Sequence, residues 1–171
     1  MNEAVGPSTE IDRKVVEGFE KAFERLHARS RMLIETTPLE RLYTGSATGS
    51  NGASPSVGSY VLRSAAVVEQ TFGGITANLW DDPFEWTLPE TLSTGARIIE
   101  YLDEVEETRK RAFACFSGDE DLKKEIAAPS GDMCPLINLL LDTLVRAAEL
   151  QGRALAQLAT LSNPRPNGFI I

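Results

Sequence analysis

Histidine and cysteine are scarce in this chain of 171 residues, which contains one histidine, His27, and two cysteines, Cys115 and Cys134. One histidine cannot supply a histidine-rich metal site, and the cysteines lack the CxxC spacing of a zinc knuckle. Two cysteines are also too few for a disulfide framework, so we expect both to be reduced, as in a cytosolic protein. We predict no bound metal and no other cofactor, and we expect His27 at the surface or at a bundle edge.

Basic residues are outnumbered, because 17 Lys and Arg face 25 Asp and Glu, for a net charge of −8. A nucleic-acid-binding surface needs clustered basic residues that displace counterions from phosphates, and an anionic membrane surface also attracts them. No apolar run reaches the roughly 20 residues that cross a bilayer, and the first ten residues do not resemble a signal peptide. We therefore expect a cytoplasmic protein with neither nucleic acid nor a membrane as its partner.

Apolar residues recur at helical spacing in four long segments, and no segment alternates like a convincing strand. The pattern predicts helices at about 9–35, 56–79, 89–116 and 135–161. The middle of the third helix is rich in Glu–Arg and Glu–Lys neighbours, which is typical of a solvated face. Between the third and fourth helices we expect a loop with one helical turn at about 121–126.

Four long amphipathic helices predict an all-α fold, a four-helix bundle with a longer crossover between two of its helices. We expect one domain over 1–171, with its core at about 9–162. The small, polar, glycine-rich stretch at 44–55 is predicted to be a mobile loop, because it offers little apolar area. The tail at 163–171 is predicted to be irregular.

The fourth predicted helix is apolar around most of its circumference, more than one bundle core needs. This excess predicts a homodimer in addition to a central place in the bundle. One narrow polar line remains, in which charges alternate: Asp142, Arg146, Glu149 and Arg153. The pattern favours an exposed stripe of weak ion pairs over the wall of a polar pocket inside the bundle.

Four stretches, in their order and spacing, carry a resemblance to a known family: 56–63, 81–87, 117–122 and 144–161. They resemble, in turn, the opening of the second helix, the crossover before the third helix, a short acidic turn and the last helix of the DinB-like bundle proteins. That superfamily includes the YfiT-type metal-dependent hydrolases and the bacterial thiol S-transferases. The resemblance covers nearly the whole chain and implies a DinB-like four-helix bundle and a homodimer.

Family members with an intact site hold a metal with three histidines, one on the second helix and a His-x-x-x-His pair on the fourth. Carried over by position, these fall on Arg63, Arg146 and Leu150. A guanidinium stays protonated and a leucine has no lone pair, so neither can ligate a divalent ion. The resemblance therefore supports the fold, and the departure from it argues against an enzyme.

The leading hypothesis is a DinB-like protein without the metal site that acts as a non-catalytic binding or scaffolding module. The alternative is a small-molecule, anionic ligand-binding protein, or a metal-independent transferase or hydrolase that uses the same pocket. A third is purely structural: Arg63 pairs with Glu149, Asp142 or Glu69 in place of the metal. The candidate pocket residues are Tyr60, Arg63, Asp142, Arg146, Glu149 and Leu150.

Overall fold

The computed structural model of the protein describes residues 12–44, 55–81 and 91–162, and within them it is almost entirely helical. The α-helices there are α1 (Lys14–Thr36), α2 (Leu39–Leu42), α3 (Val57–Ala77), α4 (Gly95–Ala114) and α5 (Leu136–Ser162). A 3-10 helix (Asp119–Lys123) and two antiparallel strands, β1 (Glu125–Ala127) and β2 (Met133–Pro135), lie between α4 and α5. The predicted all-α class is confirmed. None of the described helices combines the length and apolarity needed to span a bilayer.

Several boundaries predicted from periodicity differ from those of the structure. Asp12 and Arg13 are not helical, so α1 begins at Lys14 and not near residue 9. The predicted third helix begins at Gly95 and not near 89, because Thr94 is its N-cap and accepts the Arg97 N–H at 3.3 Å. Most of the predicted loop at 44–55 and the whole tail at 163–171 lie outside the described residues.

The expected loop between the third and fourth helices contains regular structure that the sequence pattern does not reveal. The helical turn ends at Lys123, and the residues that follow form β1. Ile126 is paired with Cys134 in this small hairpin, and Gly131 takes a positive φ of 87° in its turn. Strands of three residues are too short to show an alternating pattern, so the prediction of no strand was wrong here.

Contacts that side chains make with side chains or backbone carbonyls of a neighbouring helix show the directions of the helices. On α1 and α4, His27 faces Asp103, and Glu20 faces Arg109, so these helices are antiparallel. On α3 and α5, the buried Ser64 hydroxyl donates to the Ala147 carbonyl at 2.9 Å. The Thr71 and Thr143 hydroxyls are hydrogen-bonded at 2.7 Å, which makes α3 and α5 antiparallel too.

Phenylalanine rings from three helices form the aromatic centre of the core. Phe23 of α1 lies edge-on to Phe72 of α3, with ring centroids 5.0 Å apart, and Phe113 of α4 lies 5.3 Å from Phe72. All three rings are buried. Such pairs contribute about 0.5–1.5 kcal/mol each beyond the burial of their area. The cluster therefore joins α1, α3 and α4 into one core.

The first turn of α1 is capped by a residue that lies far away in sequence. The Asp119 carboxylate accepts the N–H groups of Val15, at 3.0 Å, and Val16, at 2.9 Å. The Asp119 N–H in turn donates to the Asp12 carbonyl at 2.8 Å. A carboxylate at this position satisfies two otherwise unpaired donors and faces the positive end of the helix dipole. The cap ties the 3-10 helix to α1.

We predict that Asp119→Ala lowers the free energy of unfolding by about 1–2 kcal/mol, because Val15 and Val16 lose their acceptor. Denaturant unfolding measures this loss. Glu120→Ala is the matched control, since the exposed Glu120 carboxylate pairs with Lys123, and such a pair contributes under about 1 kcal/mol. Equal losses in the two variants would show that Asp119 does not act as the cap.

Candidate functional site

An open groove of about 500 Å³ runs between α3 and α5. Its lining residues are Arg63, Ala66, Val67 and Gln70 from α3, and Arg146, Glu149, Leu150 and Arg153 from α5. The antiparallel packing of the two helices sets the α3 residues beside this face of α5. Four of the six candidate residues from the sequence are thus brought together: Arg63, Arg146, Glu149 and Leu150.

The other two candidates lie beside the groove and do not line it. Tyr60 is one helical turn before Arg63 and packs, partly buried, against the core. Asp142 is one turn before Arg146, and its carboxylate lies 3.7 Å from that guanidinium. The two side chains of this pair are 64% and 54% exposed. The charged line is therefore an exposed stripe that borders a surface groove, as its periodicity favours, and not the wall of an interior pocket.

The predicted bridge from Arg63 to an acidic residue of α5 stays a prediction. Asp142 pairs with Arg146 within its own helix. Glu69 accepts the Tyr101 hydroxyl at 2.6 Å and so faces α4. Arg63 and Glu149 are both exposed, so water would screen an ion pair between them and keep its contribution to stability small.

The groove concentrates positive charge on an acidic protein. Its three arginines and one glutamate give the lining a charge of +2, which Asp142 beside Arg146 lowers to about +1, against −8 for the whole chain. Guanidinium groups remain charged at every accessible pH and bind carboxylates or phosphates through two parallel hydrogen bonds. Ala66, Val67 and Leu150 add apolar surface between these charges. This set of groups suits an organic anion.

The orientation of Gln70 in the groove depends on the end of α3. Its Nε2 donates to the Trp80 carbonyl at 2.9 Å, after the chain has turned at Asn78, which has a φ of 55°. Trp80 lies so close to the helix that a Cβ on Gly74 would be 2.2 Å from its ring. Glycine at this position therefore permits the close approach of Trp80.

A second polar feature, at the centre of the bundle, was not predicted from the sequence. Gln151 is only 1% exposed, and its Nε2 donates to the Leu26 carbonyl at 2.7 Å and to the Ser30 hydroxyl at 2.8 Å. Its Oε1 has no hydrogen-bond partner. Gln151, Ser30 and Ser64 line a cavity of about 30 Å³. A cavity of that size has room for one water molecule and is too small for a substrate.

A buried ion pair lies beside this cavity, on the helix that was predicted to present a solvated face. Arg109 donates to the two carboxylate oxygens of Glu106 at 2.8 and 2.6 Å, and both residues are buried. The Arg109 guanidinium also lies over the Phe113 ring, 5.6 Å from its centroid. Burial alone would raise the pKa of Glu106, but the hydrogen bonds and charge of Arg109 outweigh it and lower that pKa.

His27 lies at the edge of the bundle, as predicted, with its Nε2 3.5 Å from the Asp103 carboxylate. Burial lowers its pKa from the ordinary value of 6.5, against the opposing charges of Glu106 and Asp103. The folded environment therefore stabilises the neutral imidazole relative to the charged one. Over the residues that the structure describes, no three His, Cys, Asp or Glu side chains are grouped so that they could hold a metal.

The chain matches no protein-family model, no curated protein and no solved structure. The resemblance to DinB-like proteins consequently stays a prediction. What the structure defines is a class: an all-α helical bundle with an arginine-lined groove on one side.

We predict that Arg109→Met lowers the free energy of unfolding by about 3 kcal/mol, because it leaves the Glu106 carboxylate buried without its main partner. The loss is measured by denaturant unfolding at neutral pH. Adding Glu106→Gln to Arg109→Met removes the stranded charge and should recover part of the stability. The exposed Arg111→Met is the control on the same helix. This interpretation would be contradicted if the double variant lost as much free energy of unfolding as the two single variants lose together.

We also predict that protonation of His27 weakens the fold. Because its pKa is lower in the folded state, the unfolded chain binds more protons in the pH range between the two pKa values. The contribution of His27 to the free energy of unfolding is therefore complete above about pH 6.5 and is lost as the pH falls below that value. Between pH 7.5 and 5.5, the free energy of unfolding should fall less for His27→Gln than for the natural protein. Parallel profiles would contradict the prediction.

Proposed function

We propose that the protein is a non-catalytic binding module that holds a small organic anion in the groove between α3 and α5. One observation carries this proposal: Arg63, Arg146 and Arg153 line a single groove in which Glu149 is the one acidic lining residue described. The chain has a net charge of −8, so the excess of positive charge in this groove is opposite in sign to the charge of the whole protein. It attracts anions that the rest of the surface repels.

The size and lining of the groove narrow the class of ligand. A volume of about 500 Å³ lies within the usual range for small-molecule sites. Arginines on both walls fit a ligand with two anionic groups, or with one phosphate that contacts both helices. The apolar surface of Val67 and Leu150 fits a short hydrocarbon part between or beside those groups. Phosphate esters and polycarboxylates share this chemistry.

The resemblance to DinB-like proteins supports the same site. The three positions at which it places metal ligands are Arg63, Arg146 and Leu150, and all three line this groove. Two fixed guanidinium charges would there supply the positive charge that a divalent metal supplies in the family. On this proposal the chain is a DinB-like protein whose pocket binds an anion directly, without a metal and without the chemistry that a metal supports.

The proposal also includes a cytoplasmic location and a homodimer. Cys115 and Cys134 are both free thiols, which supports a reducing compartment. Exposed apolar side chains on α5, among them Leu141 and Val145, support contact with a second copy.

We predict that inorganic pyrophosphate and citrate bind the protein, as measured by calorimetric titration at low ionic strength. Arg63→Gln and Arg146→Gln should each weaken binding about three- to tenfold, because one charge-assisted contact is lost. Glu149→Gln should strengthen binding, since it removes a repelling carboxylate. Arg25→Gln, on the exposed surface of α1, is the matched control for net charge and should leave binding nearly unchanged.

The opposite signs of these changes make the result decisive. Equal weakening by Arg25→Gln and the two groove variants would mean that the anions sense only the net charge. No effect of Glu149→Gln, together with unchanged binding by Arg63→Gln, would place any anion site elsewhere. Either outcome overturns the proposal.

A further inference from the structure

One side of α5 lies away from the groove and is apolar. Most of its residues are exposed, and Ala148 in its middle is partly buried against the core. Leu141, Val145 and Leu155 are 46%, 54% and 38% exposed. With Ala148 and Gly152 they recur at spacings of four, three, four and three, which places all five on one face of the helix. We name these five residues the apolar strip.

Gly152, within this strip, has no explanation inside the chain. It is exposed in the middle of a long helix, and a Cβ there would meet no atom within 4 Å. Glycine at such a position destabilises a helix by about 0.5–1 kcal/mol relative to alanine. Glycine at this position leaves room for a backbone or side chain of a second molecule to approach α5 closely.

From these observations we infer that α5 packs antiparallel against α5 of a second copy, about a two-fold axis near Ala148. In that register Ala148 meets its own counterpart, and Val145 projects onto the partner subunit's Gly152. Leu141 then meets Leu155 of the partner subunit. Large side chains thus face small ones at the two Val–Gly contacts, as close helix packing requires.

The charged line beside the strip fits the same register. Asp142 comes opposite Arg153 of the partner subunit, and Arg146 comes opposite the partner's Glu149. In every charge pair and every apolar pair, the mean of the two residue numbers lies within one residue of Ala148. All the pairs are therefore consistent with a single two-fold axis. A parallel pairing would instead set each charge beside its own copy, with arginine against arginine. The alternation of charge is therefore self-complementary only in the antiparallel arrangement, as an isologous interface demands.

A second copy of this chain is the occupant that this pattern selects. When a second α5 is placed antiparallel to the first, each charge comes opposite a charge of the other sign, and Val145 comes opposite glycine. An unrelated helical partner would have no reason to provide this match. The interface rests on the proposed homodimer. Its charge pairs use Arg146, Glu149 and Arg153, which also line the groove, so the dimer and a bound anion would share these side chains.

Light scattering and sedimentation velocity at about 10 µM test the inference on the full chain of 18.7 kDa. We expect the natural protein to have twice the monomer mass. Gly152→Arg should have the monomer mass and at least a tenfold higher dissociation constant, with unchanged helical circular dichroism, because arginine favours the helix and meets no atom of its own chain. Gly18→Arg on α1, another helical glycine with open space around it, should remain dimeric.

Charge exchange tests the register. Arg153→Glu should weaken the dimer, since two carboxylates then face each other, and Asp142→Arg combined with Arg153→Asp should restore it. A monomeric natural protein would overturn both the homodimer and this interface. A dimer that tolerates Gly152→Arg would overturn the interface alone, and failure of the double exchange to restore association would overturn the antiparallel register. The mass measurements are made without pyrophosphate or citrate, so the state of the dimer is read separately from anion binding.

Discussion

The packing of α5 against α3 is the contact on which the candidate site and the proposed interface both depend. Two buried polar contacts hold it, from Ser64 to the Ala147 carbonyl and between Thr71 and Thr143. Their spacing along both helices sets the direction of α5 and its rotation about its own axis. Once that rotation is fixed, every residue of a rigid helix is assigned to the core, to the groove or to the outer surface.

This division explains why α5 carries so much apolar surface. One face, which includes Leu140, Ala147 and Ala154, is buried in the bundle. The next carries the charges that line the groove, and the third is the apolar strip that the bundle leaves exposed. A helix with only one of these roles would need a single apolar stripe, and the rest of its surface would be polar.

Periodicity in the sequence was enough to predict the four long helices, because each buries a face with a regular 3.6-residue spacing. The Ser56 side chain caps α3 by accepting the Ser59 N–H, and such a contact between residues three apart is local in sequence. The contact from Asp119 to the start of α1 could not be found in this way, because its partners are more than 100 residues apart. Local pattern carries no information about such pairs.

The candidate site was predicted in part, and for a similar reason. The alternation of charge on α5 could be seen in the sequence, whereas the neighbourhood of Arg63 depended on the family resemblance and on tertiary packing. The buried Glu106–Arg109 pair was missed because an i, i+3 pair has the same sequence pattern whether its face is solvated or covered. Burial of that face follows from contact with α1, which periodicity within α4 does not report.

The central claim is that one face of α5, together with α3, binds an anion. Titrating isotopically labelled protein with pyrophosphate and following its backbone amide resonances tests it most directly. We expect the largest shifts at Ala66, Val67 and Gln70 on α3 and at Leu150 on α5, with small shifts on the acidic face of α4 around Glu100 and Glu104. Shifts spread evenly over the surface, or centred away from both walls of the groove, would contradict the claim.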